Sequence, residues 1–320
     1  MFRIYRSTAI ACQHLCPTEI VVLQMLLITS RVLRPAPIIG ITGIVLAASF
    51  SSSAAQLNPS KSMSTSKEWP VKQYTPRHKT WPYDASDFTR QDPSNDTEFY
   101  SAPRFVTHID DAAIATLRQY YDTVLPRKGK ILDLCSSWVS HYPKPIQDAA
   151  TKNRDSSLQV CGMGMNQAEL NANKVLNSGR ILKDLNTDPN ISDALQEAKF
   201  IELDSTTMVV SIDYLVKPVQ VLSSLLDATK TAGGSVHLTI SNRCFPTKAI
   251  SRWLRVDAEE RLQMVGDFLH FAGWKQIEIV ELCNGKMEEE QSGSSREQVL
   301  MSYMGMGRRD PLWVVRAVKG

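Results

Sequence analysis

From Asp110 onward, short apolar runs rich in β-branched side chains alternate with stretches whose apolar residues recur at helical spacing. The runs fall at 130–134, 157–161, 180–183, 206–212, 235–240, 276–280 and 312–318. The stretches between them carry helix start and stop signals. Asp110 precedes Ile114, Leu117 and Tyr121, which share one helical face. Asn166 and Asp257 stand at N-cap positions, with Glu169 and Glu260 in capping-box spacing. Pro218 opens a stretch with Val221, Leu222, Leu225 and Leu226 on one face, and Gly233 and Gly234 end it. Strands separated by helices of this length join through parallel crossovers rather than hairpins. The pattern therefore predicts a Rossmann-like, doubly wound α/β fold. Its sheet has seven mostly parallel strands, the last two an antiparallel pair, with helices on both faces.

Sheets of this kind bind ligands at the carboxyl ends of their strands, where the strand order reverses. The first strand ends in Asp133-Leu134 and runs into Cys135-Ser136-Ser137-Trp138-Val139-Ser140-His141, a turn without glycine. Glycines in such a turn let backbone N–H groups approach a ligand, so their absence decides much of the chemistry. Two arrangements are open here. The Ser136 and Ser137 hydroxyls replace the lost grip, or Trp138 fills the cleft. The second strand is followed by Gly162-Met163-Gly164-Met165-Asn166, the third by Asp184-Leu185-Asn186, and the fourth by Ser211, Asp213 and Tyr214. Asn242 and Arg243 end the fifth, and Arg243 suits either a ligand anion or a surface ion pair. Met163 and Met165 read as flexible apolar lining.

The quoted stretches, with Ala102-Pro103-Arg104-Phe105-Val106-Thr107-His108-Ile109-Asp110 before them and Ser241 to Lys248 after, resemble a class I S-adenosylmethionine-dependent methyltransferase. More narrowly, they resemble a type 11-like branch of plants, algae and fungi whose first motif lacks glycine. The resemblance covers residues 100–320. It implies S-adenosyl-L-methionine as cofactor, held by Asp133, Cys135, Ser136, Ser137, Gly162, Gly164, Asp184, Leu185 and Ser211. The chain departs from the common pattern twice. Cys135, Ser137 and Val139 replace the three glycines, and Gly164 stands where an acid usually holds the ribose hydroxyls. Asp184 matches the acid beside the adenine, with a turn role as its alternative.

For catalysis the candidates are Asp213 and His141. Asp213 can orient an acceptor, act as general base, or cap the helix at Pro218. His141 follows the first strand closely enough to receive a proton in the cleft. His108 is a weaker candidate.

The net charge is +3, but residues 1–62 hold five cations against one acid, so the body is close to neutral. A near-neutral body argues against a broad nucleic-acid face, leaving a local basic patch open, and favours a small-molecule acceptor. The six cysteines show no zinc-type spacing beyond Cys12 and Cys16, and they read as buried, reduced thiols. Residues 1–62 have the Ser, Ala and Arg bias of an organellar transit peptide, mitochondrial first, with a membrane anchor or a plain extension as alternatives. Membrane contact is expected only through this segment. Residues 63–99 read as a polar linker or surface-wrapping arm.

Three functions compete on this basis. A methyltransferase acting on a small acceptor comes first. A non-catalytic pseudo-methyltransferase that binds a ligand or partner with the same fold is favoured by the glycine-less turn and Gly164. A nicotinamide oxidoreductase is opposed by the lack of GxGxxG after the first strand.

Overall fold

The computed structural model describes residues 68–152, 157–285 and 309–320. The first half of the chain folds as β1 (Val71–Gln73), α1 (Asp96–Phe99), α2 (Asp111–Val124), β2 (Gly129–Leu134), α3 (Lys144–Lys152), β3 (Leu158–Gly164), α4 (Gln167–Ala172) and β4 (Gly179–Leu182). The second half adds α5 (Ile191–Glu197), β5 (Ser205–Val209), α6 (Pro218–Ala228), β6 (Ser235–Ser241), α7 (Ser251–Arg255), α8 (Ala258–Phe271), β7 (Lys275–Cys283) and β8 (Leu312–Val318). The targeting, anchor and extension readings of 1–62 fall outside the described residues. Among the described residues no helix is long and apolar enough to cross a membrane.

The strands form one sheet in the order β1-β7-β8-β6-β5-β2-β3-β4. β2 through β7 run in one direction. β8 lies antiparallel between β6 and β7, and β1 is antiparallel to β7. Without its two antiparallel strands this is the doubly wound order, with the reversal beside β2. The sheet has eight strands, and the sequence pattern anticipated seven. The extra one, β1, is three exposed residues with no alternation to betray it. Its partners Glu278, Ile279 and Val280 recruit it to the edge.

A second correction concerns β3. The pattern ends it at 161, but it continues to Gly164. Gly162 pairs with both Asp133 and Arg180, and Gly164 pairs with Leu182. Both glycines are therefore sheet residues. A Cβ on Gly164 would lie 2.2 Å from the Ser136 carbonyl oxygen, and one on Gly162 would lie 2.5 Å from Leu176 Cδ1. The space that side chains would need is filled by the turn after β2 and by Leu176.

Two apolar layers cover the sheet. Leu195, Leu222, Leu225, Val265, Phe268 and Trp274 belong to one, from α5, α6, α8 and the loop after α8. Leu117, Tyr120, Tyr121 and Ile146 belong to the other, from α2 and α3. The N-caps form where the sequence places them, but the capping boxes do not, because Glu169 and Glu260 bond to other groups instead. The Asp110, Asn166 and Asp257 side chains accept from the first turns of α2, α4 and α8. Burying α6 and α8 on the sheet is worth about 2 kcal/mol for each enclosed Leu or Val.

The stretch from 68 to 99 lies along the body. Tyr74 and Tyr83 are buried, and both hydroxyls donate to the buried Asp267 carboxylate at 2.5 Å. Arg77 Nη2 reaches the same group at 2.8 Å. Further on, the fully buried Lys248 ammonium meets Asp92 at 3.1 Å and Asp96 at 3.3 Å, and Arg90 meets Asp96 at 2.8 Å. These clasps fix α1 beside the carboxyl ends of the strands.

Buried His237 bonds to Tyr120 Oη at 2.9 Å and Ser235 Oγ at 3.1 Å. Burial lowers its pKa to about 3. The unfolded chain therefore binds a proton that the folded chain refuses. The stability carried by this residue is complete above pH 6.5 and is lost as the pH falls toward 3. Between pH 7 and pH 4 the wild type is expected to lose about 3 kcal/mol more than His237→Gln. Urea unfolding at both pH values measures the difference, and equal losses would contradict it.

Candidate functional site

A cavity of about 360 Å³ lies across the carboxyl ends of β2 to β6. The turn after β2 forms one wall through Asp133, Cys135, Ser136, Ser137, Val139 and His141. Met165 follows β3, Asp184 and Leu185 follow β4, and Ser211 and Tyr214 follow β5. Arg243, Cys244 and Phe245 follow β6. The segment 100–109 passes over the top as a strap, contributing Tyr100, Arg104, Val106 and His108.

The glycine-less turn holds its shape through side chains. Cys135 (φ 56°) and His141 (φ 54°) adopt the left-handed conformation that glycine takes easily, at roughly 1–2 kcal/mol each. Four polar groups hold them there. Buried Asp133 Oδ2 accepts from Ser136 Oγ at 2.6 Å and Ser140 Oγ at 2.7 Å. Asn173 Nδ2 donates to the Ser137 carbonyl and to Ser140 Oγ, each at 2.9 Å. Ser137 Oγ donates to Glu169 Oε2 at 2.6 Å. Ser136 N donates to the Met163 carbonyl at 2.7 Å. Burial pushes the Asp133 carboxyl up to about 6, against the pull of the Ser136, Ser140 and Thr207 hydrogen bonds.

This arrangement corrects both readings of the turn. The Ser136 and Ser137 hydroxyl protons are committed inside the protein, to Asp133 and Glu169, so neither hydroxyl is left as a donor to a ligand. Trp138 does not fill the cleft. Its indole N–H donates to the Val106 carbonyl at 3.0 Å, and its ring meets Phe105 edge-on at 6.2 Å, which puts it at the rim. Among the described residues, nothing accepts from the N–H groups of Ser137, Trp138 and Val139.

Gly162 and Gly164 lie under the turn and do not line the cavity. Asp184 lines it, and its carboxylate also closes a turn, with Oδ1 accepting from Asn186 N at 2.9 Å and Oδ2 from Thr187 Oγ1 at 2.7 Å. Ser211 Oγ donates to the Val209 carbonyl at 2.8 Å. Asp213 sits in a single 3-10 turn, Ile212–Tyr214, with its carboxyl buried and not on the cavity lining. Burial raises it to about 8, so it holds its proton at neutral pH, and its Oδ2 has no partner. That placement removes Asp213 as a base in contact with ligand. It is not the cap of α6 either, since Lys217 occupies the N-cap.

His141 lines the cavity, and its Nδ1 is buried without a partner. Burial, with Arg118 and His108 nearby, lowers its pKa to about 4 and keeps the ring neutral. Burial lowers His108 as well. The cysteines are less enclosed than their apolar surroundings suggested. Cys161 is buried, Cys135, Cys244 and Cys283 are half-buried, and all four are free thiols. Cys12 and Cys16 fall outside the described residues. Among the described residues no cluster of His, Cys, Asp and Glu could hold a metal ion.

Two residues that the sequence pattern did not single out organise the site. Glu169 was legible only as a capping-box acid. Its Oε1 accepts from the Arg104 backbone N–H at 2.6 Å while Oε2 holds Ser137, so one carboxylate ties strap to turn. Asn166 Nδ2 adds bonds to the Tyr100 and Ser101 carbonyls at 2.8 and 3.2 Å. The second residue is Arg104, whose guanidinium carbon lies 4.3 Å from the Phe99 ring centre and 5.5 Å from that of Phe245. The one sequence signal for both is that Arg104 belongs to the 102–110 stretch and Glu169 follows Gly162 to Asn166.

Comparison with models of known protein families finds no match. A search of curated proteins finds none either. Similar solved structures include phosphoethanolamine N-methyltransferase 2 of Haemonchus contortus in complex with S-adenosyl-L-methionine. It is 14% identical over 65% of this chain and 52% of its own, with a TM-score of 0.38. This chain thus spans about half the length of that enzyme. A Geobacter sulfurreducens S-adenosylmethionine-dependent methyltransferase in complex with S-adenosyl-L-homocysteine is 17% identical over 70% of this chain and 96% of its own, with a TM-score of 0.38. A Thermotoga maritima S-adenosylmethionine-dependent methyltransferase is 14% identical over 65% of this chain and 90% of its own, with a TM-score of 0.40.

Proposed function

We propose that this chain is an S-adenosylmethionine-dependent methyltransferase of a small-molecule acceptor. The observation that carries the reading is the cavity itself. Despite the glycine-less turn, a space of about 360 Å³ stays open across the switch point of a doubly wound sheet. That volume is within the usual range of small-ligand sites. The residues suit the cofactor in kind. The Ser137 to Val139 N–H groups are free to approach its amino-acid part, and Met165, Asp184 and Leu185 suit its nucleoside.

When bound, S-adenosylmethionine supplies a methyl group already activated as a sulfonium. The protein is left to align the partners and exclude water. The strap lines the cavity with Tyr100, Arg104 and Val106, the part of the chain we assign to shielding the reaction from water. Ser211, Tyr214 and Phe245 would border the acceptor. We assign the unpartnered Nδ1 of neutral His141 to accept a hydrogen bond from the acceptor's nucleophile, while Asp213, off the cavity lining, makes no contact with ligand. We read residues 1–62 as an organellar targeting segment, mitochondrial first, and the near-neutral body as selecting against nucleic acid.

A second reading, a ligand-binding protein without catalysis, is favoured by one observation. The turn's hydroxyls are bonded inward, and Gly164 leaves no carboxylate at the end of β3. Calorimetric titration of the full chain with S-adenosylmethionine and S-adenosylhomocysteine tests both. Saturable heat is expected, and Asp184→Ala is expected to weaken it about tenfold, the usual loss for one charge-assisted hydrogen bond. Ser137→Trp should do the same by crowding the turn. Silence at millimolar ligand sinks the first reading. Heat without methyl transfer across a panel of small acceptors favours the second.

A further inference from the structure

A desolvated cation normally meets a carboxylate, because an unpaired buried charge is costly. Arg90 and Arg316 do so, with Asp96 and Glu278. Arg104 does not, among the described residues. Its Nη2 donates to the Phe99 carbonyl at 3.0 Å, while Nη1 is buried and finds no acceptor. Both Glu169 oxygens accept from other groups, the Arg104 backbone N–H and Ser137 Oγ, and no carboxylate pairs with the guanidinium among the described residues. The rings of Phe99, Tyr100 and Phe245 attract the guanidinium, at 4.3, 5.7 and 5.5 Å. Such contacts are worth about 0.5–2 kcal/mol and leave the missing acceptor missing.

The position of this charge matters as much as its isolation. Arg104 lines the cavity. Its guanidinium lies between Phe99 of α1 and Phe245, which follows β6. His108 stands beside the same ring, 5.5 Å between centres, and also lines the cavity. A planar cation packed among aromatic rings is partly ordered before any ligand arrives, which favours recognition of an oxyanion.

We propose that Arg104, with His108 beside it, forms an anion subsite for a carboxylate or phosphate carried by the acceptor. Calling the anion the acceptor's rests on the methyltransferase reading; the existence of the subsite does not. The methionine carboxylate of the cofactor is the other source of such an anion, and the test separates the two.

In the full chain saturated with S-adenosylhomocysteine, inorganic phosphate is titrated while the His108 ring is followed by NMR. A saturable shift is expected in the wild type. Arg104→Met should weaken it at least tenfold and Arg104→Lys less, with both variants keeping S-adenosylhomocysteine affinity within threefold. Lysine keeps the charge, so a loss confined to methionine identifies the cation rather than a misfolded strap. An unchanged phosphate titration in Arg104→Met overturns the proposal. So does a tenfold loss of S-adenosylhomocysteine affinity with 5′-methylthioadenosine, which lacks the amino-acid group, unaffected, because the anion is then the cofactor's own. If the wild type ignores S-adenosylhomocysteine yet phosphate still saturates, the methyltransferase reading fails and the subsite stands.

Discussion

Asp267→Ala is expected to destabilise the protein by about 3 kcal/mol. The side chain is fully buried on α8 and accepts from the Tyr74 and Tyr83 hydroxyls and from Arg77. Arg77 is one-third exposed and also paired with Glu260, so its guanidinium can return to water cheaply. The tyrosines cannot. Tyr74 packs on Gly266, where a Cβ would come within 2.4 Å of its ring, and Tyr83 packs on Phe88 and Phe268. Two buried hydroxyls would lose their acceptor, at roughly 1–3 kcal/mol each. Urea unfolding measures the loss. The segment holding Arg77 and Lys79 should also become cleavable by trypsin at low denaturant. Asp267→Asn keeps one acceptor oxygen and should lose about half as much. A change below about 1 kcal/mol in the alanine variant would show that the clasp is not what holds the arm.

Gly164→Ala should be the most damaging single methyl in the site. The added carbon would meet the Ser136 carbonyl oxygen at 2.2 Å, and that oxygen belongs to backbone. The turn must lift, which breaks the Ser136 N–H bond to Met163 and disturbs the serine bonds to Asp133. Overpacking of this kind costs about 2–3 kcal/mol. Any affinity for S-adenosylhomocysteine should fall with it, because the free N–H groups of Ser137 to Val139 ride on the same turn. Gly162→Ala is the control. Its new carbon meets first the tip of Leu176, a side chain that can rotate, so its loss should be about half as large. Reversal of that ranking in calorimetry and thermal melts would mean that the turn yields more easily than Leu176 does.

The sheet was legible because its physics is local. Leu132 and Leu134 in β2 and Val236, Leu238 and Ile240 in β6 are buried runs, and Asp110, Asn166, Asp257 and Pro218 mark helix starts. Strand ends and site roles were less legible because they depend on distant partners. Gly162 and Gly164 look like the loop after a strand until the β2 turn is laid over them. Ser136 and Ser137 look like ligand donors until Asp133 and Glu169 claim their hydroxyls. Asp213 looks like a base until burial takes it off the cavity lining. Glu169 showed only a capping-box position and Arg104 only its place in the 102–110 stretch, neither of which points to the cavity. Their meaning arises only when the strap crosses the cavity.

The Glu169 carboxylate has a kinetic consequence. One oxygen holds the strap and the other holds the turn. The strap cannot swing clear without loosening that carboxylate, and the turn relaxes when it does. Entry of a ligand and formation of its grip are thus one event rather than two. Opening the strap breaks the Glu169 bond together with those that Asn166 and Trp138 make to the strap's carbonyls.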